Sequence, residues 1–107
     1  MRAPIPEADW KLLRSLHPVA LDRYCERVLE EVRRIAADTQ RSQHQRYLAV
    51  FQLMQERNRT MALAFDDMRR STAIQRIMHM QHLGLLLPEE FARFSDQTRD
   101  VVQLLLD

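Results

Sequence analysis

The chain has 107 residues, 46% of them hydrophobic and 29% charged, with a formal net charge of +1, four prolines and a single glycine. Such a length fits one domain that hides roughly two-thirds of its unfolded surface, and this balance of apolar and charged residues excludes a disordered chain. No apolar run approaches the ~20 residues that span a bilayer, and one glycine excludes a glycine-rich phosphate loop.

Val and Ile are few and nowhere alternate with period two, whereas a helical period recurs throughout. The expected fold is all-α: a bundle of five or six helices with one long central helix over about 42–70, in one domain covering 1–107. Pro6, followed by Glu7 and Asp9, opens a short helix reaching about Leu16. Trp10 on that helix is the expected lid over one end of the core. Pro18 opens a second helix to about Asp38, with an apolar stripe of Leu21, Cys25, Val28, Val32 and Ile35, widened by Tyr24 and Leu29.

Ser42 with Gln45 reads as a capping box. From there Tyr47, Phe51, Met54, Asn58, Met61, Phe65 and Met68 recur at alternating spacings of four and three. A seam of that period favours shallow, left-handed packing near +20° against another helix. It cannot continue unchanged, because Arg69 and Arg76 would share the face of Phe51 and Phe65. The apolar positions restart on another face as Ile74, Ile77 and Met80, and Thr72 with Gln75 forms a second candidate capping box. A break is therefore placed near Arg69–Thr72. Without it, a helix over 42–83 would be ~60 Å long, against a radius of gyration near 13 Å for a compact domain of this size.

Gly84 is the expected left-handed cap of the helix before it, and Pro88 the opener of a short helix ending near Phe94. Leu85 and Leu86 plug the space between the two. Ser95, followed by Asp96, caps a last helix carrying Val101, Val102, Leu104 and Leu105. A helix-turn-helix also has glycine at its turn, but Pro88-Glu89-Glu90 would present carboxylates where a recognition helix meets phosphates, which disfavours DNA.

The spacing of Ile74, Ile77, Met80, Gly84, Leu85, Leu86, Glu90 and Phe91 resembles the SHOCT (short C-terminal domain) motif, a helical hairpin with a glycine turn and an acidic-Phe helix start. The resemblance covers residues 74–91, with Leu87 where that family usually has Thr. It implies a small interaction or oligomerisation element without catalysis.

Few residues suggest chemistry. His79 and His82 are three apart and would need Asp66, Asp67 or His44 brought close to hold a metal; no Glu-x-x-His and no second Cys accompany them. No metal or cofactor is expected. Cys25, on the apolar stripe, is expected to be a buried, inert thiol, and a lone cysteine fits a reducing compartment. The start "MRAPIPEADW" lacks a signal-peptide apolar region, so the expected location is the cytoplasm. Fifteen Arg against one Lys reflect a GC-rich bacterial genome more than guanidinium chemistry. No nucleophile and base are spaced as in a known enzyme family.

Charge is uneven. Residues 1–40 balance seven basic groups with seven acids, residues 41–83 carry seven Arg against Glu56, Asp66 and Asp67, and residues 84–107 carry Arg93 and Arg99 against five acids. A basic middle and an acidic tail suggest mutual contact, within the chain or across a dimer. A nucleic-acid-associated regulator using the 41–83 segment is the second reading, although its arginines scatter around the helix without interleaved aromatics.

The expected function is thus a small, non-catalytic bacterial protein–protein interaction or oligomerisation module, forming a homodimer along the 42–70 helix and binding an unspecified protein partner. The interface residues expected are Phe51, Met54, Asn58, Met61 and Phe65, with Arg57, Arg69 and Arg70 as further partner contacts. Asn58 is the discriminating one: a polar group on such a seam costs stability but fixes register when it meets its symmetry mate.

Overall fold

Thirty consecutive residues, Glu7–Ala36, form one helix, α1, in the computed structural model, which describes residues 5–107. Two helices are expected over this stretch, yet the chain runs through Pro18 without a break. The reason is burial on both sides of the proline. Leu13, Leu16, Ala20, Tyr24 and Val28 are all buried, spaced so that one row faces the core, while Pro18 points to solvent. An interior proline costs a helix ~3 kcal/mol. Each large apolar side chain that stays in the row returns about 1.5–3 kcal/mol, so continuity wins.

After a short connection, α2 spans Gln43–Phe65, capped by the expected box: the Ser42 hydroxyl accepts from the Gln45 amide and the Gln45 side chain accepts from the Ser42 amide. A 3-10 turn at Arg70–Thr72 leads into α3, Ala73–His82; α4 is Pro88–Phe91 and α5 is Asp96–Leu106. Among the described residues every element is helical, as the periodicity predicts.

The longest helix is α1, not a 42–70 helix, and α2 stops at Phe65. Asp66 turns extended and Asp67 enters the left-handed region at φ 56°, which Asp tolerates better than most residues. Its carboxylate takes both arms of Arg69, at 2.7 and 2.9 Å. Thr72 donates its hydroxyl to the Asp67 carbonyl, so it ties down this corner and does not cap α3; the Thr72–Gln75 box does not form.

The core joins Leu13, Leu16, Ala20, Tyr24 and Val28 of α1 to Ala64 and Phe65 of α2, to Ile74, Ile77 and Met80 of α3, and to Leu85, Leu86, Phe94 and Val102. It occupies one end of the molecule. Beyond Val28, α1 and α2 continue as a two-helix arm whose one buried large apolar side chain, Leu53, lies apart from that cluster. The dimensions follow: 53 × 27 × 25 Å, with a radius of gyration of 16.7 Å against ~13 Å for a compact chain of this length.

Gly84 adopts φ 67°, and the Leu85 amide closes back on the Met80 carbonyl at 2.9 Å, giving the expected helix stop. Leu85 and Leu86 are buried behind it. The short helix ends at Phe91, earlier than expected. Ser95 caps α5 by accepting from the Thr98 amide. Val102 and Thr98 face the core, while Leu104 and Leu105 are exposed. Trp10 packs half-buried at the core margin, with the Arg14 guanidinium 5.4 Å above its ring.

Candidate functional site

Two rows of equal period run along α2, one residue apart and hence ~100° apart around the helix. The first contains Arg46, Val50, Leu53, Arg57, Thr60 and Ala64; all are buried or half-buried. The second is the row Tyr47, Phe51, Met54, Asn58, Met61 and Phe65, and the structure divides it. Phe65 is core, 6% exposed, with its ring edge-on to His17 at 5.3 Å. Met61 is half-buried against the core. Asn58 is exposed, Met54 is 39% exposed, Phe51 53% and Tyr47 69%. The expected single seam thus has two fates. Its end at Phe65 lies under the body of the molecule, whereas its start lies on the arm, past the last core residue.

α1 supplies the other half of this bare face. Val32 and Ala36 line one groove together with Gln43, Arg46, Tyr47 and Val50. One turn back from Val32 on the same side is Leu29, 50% exposed, and one further turn back is Cys25. Cys25 is half-buried at this margin, not fully buried as expected. Arg23 and Arg27 lie ~200° around α1 from Cys25 and Leu29. They bind residues 83–90, so α3 and α4 sit on the opposite side of α1. Nothing else among the described residues covers the face.

The arm is held rigid by polar contacts behind that face. Arg57 grips Glu31 through two hydrogen bonds of 3.0 and 2.8 Å. Those bonds hold the Glu31 carboxyl below its ordinary range and raise Arg57 further. Tyr24 donates its hydroxyl to the Arg57 carbonyl at 2.8 Å, and Arg46 donates to the Ala36 carbonyl at 2.6 Å. Arg69 is paired with Asp67, and Arg70 donates to the Ile5 carbonyl at 2.9 Å. All three arginines expected at a partner contact therefore have intrachain partners, and Arg69 and Arg70 lie at the α2–α3 corner, away from the arm.

Sequence reasoning missed Asp9, whose only visible signal was its place in a first helical turn. It is the buried carboxylate of the described residues, 3% exposed. It accepts from the Ser95 amide at 3.0 Å, the Ser95 hydroxyl at 2.6 Å and the Thr98 hydroxyl at 2.6 Å. Burial pushes this carboxyl up, but the Ser95 and Thr98 hydrogen bonds outweigh it and leave it below the ordinary range. With both oxygens occupied, Asp9 staples α1 to α5. His79, pressed by burial and by the charges of Arg76 and His82, is held below the usual imidazole value. Among the described residues no three His, Cys, Asp or Glu side chains converge as a metal site, and no helix is long and apolar enough to cross a membrane.

No protein-family model, curated protein or solved structure matches this chain.

Proposed function

We propose that the chain is a non-catalytic protein–protein interaction module that associates with its own copy through the bare face of the α1–α2 arm. The observation that carries this reading is the exposed row Tyr47, Phe51 and Met54 lying beside Leu29 and the Val32–Tyr47 groove. Contiguous apolar surface of this kind on a rigid element marks an interaction site. Aromatic residues and Met are the types enriched at interface centres, and Met adapts to an imperfect partner surface. A two-helix arm with one apolar face becomes a four-helix bundle when a second arm covers it. Asn58 stands at the inner end of the face, where a polar group sets register. The SHOCT-like pattern of residues 74–91 belongs to the same functional class, and a thiol without a cysteine partner fits a reducing, cytoplasmic setting. Phe51, Met54 and Asn58 form the interface in this reading, with Met61 at its margin and Phe65 serving the core.

The test is the double substitution Phe51→Glu with Met54→Glu. Because both side chains are exposed in the single chain, unfolding free energy at high dilution should change by no more than about 0.5 kcal/mol. Self-association measured by light scattering should disappear. A substituted chain that self-associates like the unsubstituted one, or that unfolds, contradicts the proposal.

A further inference from the structure

At its end nearest the core the apolar face has edges of opposite charge; farther out, Arg33 shares the Asp22 side of α1 and pairs with Glu30. Asp22 and Glu26 lie along the outer edge of α1, both exposed and without an ion pair among the described residues. Arg59 lies on the outer edge of α2, also exposed and also unpaired among the described residues. Their heights along α1 and α2 are fixed by contacts between the helices. His17 reaches the Phe65 carbonyl at 3.0 Å, Tyr24 reaches that of Arg57, and Arg46 reaches that of Ala36. Asp22 is therefore level with Arg59, Leu29 with Met54, and Ala36 with Tyr47.

Resting on the interaction reading above, we infer that the occupant of the face is a second copy related by a two-fold axis running along the arm, so that α1 of each copy packs on α2 of the other. Such an axis preserves height. It sets Leu29 on the partner's Met54, the small Ala36 beneath the partner's Tyr47, and Cys25 beside the partner's Asn58. At the rims it brings Asp22 and Glu26 to the partner's Arg59, twice per dimer. A two-fold axis across the arm would instead reverse heights, lay α1 on α1 and α2 on α2, and leave Arg59 with no acid across the rim. Opposite charges facing Arg59 favour the first arrangement.

Charge reversal tests the arrangement with two full-length variants. One carries Asp22→Arg with Glu26→Arg; the other carries Arg59→Glu. The changes are on exposed side chains, and circular dichroism with urea unfolding checks that both variants fold. Each variant alone should dimerise roughly tenfold more weakly than the unsubstituted chain, because both rims of its dimer carry like charges. Mixed in equal amounts they should pair with each other at close to the unsubstituted affinity, since every rim then matches. Variants that dimerise normally alone, or that stay monomeric when mixed, overturn the arrangement. An unsubstituted chain that dimerises while the mixture does not overturns the arrangement alone; an unsubstituted chain that never dimerises overturns the interaction reading beneath it.

Discussion

Arg23 of α1 holds Glu90 of α4 in a two-armed ion pair, at 2.6 and 3.0 Å, across 67 residues of chain. The same guanidinium donates to the Leu85 carbonyl at 2.9 Å, and Arg27 one turn on donates to the carbonyls of Leu83 and Gly84, each at 2.6 Å. The glycine corner between α3 and α4 is thus fixed by α1 as well as by its own leucines. Its last carbonyls, orphaned by the end of α3, find charged donors there.

Arg23→Ala should therefore cost about 1–3 kcal/mol in urea unfolding, because it strips two bonds from Glu90 and one from the corner carbonyl. Arg23→Lys should recover only part of that loss, since an ammonium cannot present two parallel donors. Full recovery by Lys would mean that charge alone, not the fork, positions α4.

Asp9 makes stability depend on pH in a defined direction. Its folded pKa is depressed, so its contribution is complete above the ordinary carboxylate range and is lost as pH falls through the folded value. Glu31 and Glu90, held down by Arg57 and Arg23, act with the same sign. The urea midpoint should decline as pH drops through about 6.5, where the unfolded chain's His79 takes a proton that the folded one resists, and fall further below about 4. Asp9→Ala should lower unfolding free energy by roughly 2–3 kcal/mol at neutral pH, leaving the Ser95 amide and the Thr98 hydroxyl unpaired. It should also flatten the acid limb.

Pro18 is a cost that α1 carries for the sake of continuity. Pro18→Ala restores a backbone donor and removes the ring's clash with the preceding turn, worth ~3 kcal/mol, while loosening the unfolded chain by about 0.4–1 kcal/mol. The net expectation is a gain of roughly 2 kcal/mol in chemical denaturation. A loss would show that the proline sets a bend the core needs.

Gly84→Ala should cost about 1 kcal/mol, and Gly84→Asn less. The added Cβ would meet nothing closer than the Arg27 guanidinium nitrogens at 3.9 Å, so the penalty comes from φ 67° and not from crowding. Thermal unfolding of the two variants separates these causes: equal losses would point to the side chain's space.

Local signals were legible in the sequence where one residue decides the outcome. Ser42, Gly84, Pro88 and Ser95 each mark the helix end that the structure has there. Two kinds of information were not legible. Pro18 reads as a boundary because local propensity disfavours it, and only tertiary burial on both sides overrules that preference. The rows of α2 share one period, so periodicity gives no means of telling which faces α1. The apolar row at Tyr47 is the more hydrophobic, yet it is the first row that packs on α1, with Arg57 paired to Glu31 and Ala64 fully buried. Long-range polar partners such as Asp9 with Ser95, or Arg23 with Glu90, leave no local trace at all.

The most direct test of the bare-face account is sedimentation equilibrium of the unsubstituted chain from low to high micromolar concentration. The account predicts a mass rising to about 25.6 kDa, twice the 12.8 kDa of one chain. A mass of 12.8 kDa at every concentration would contradict it.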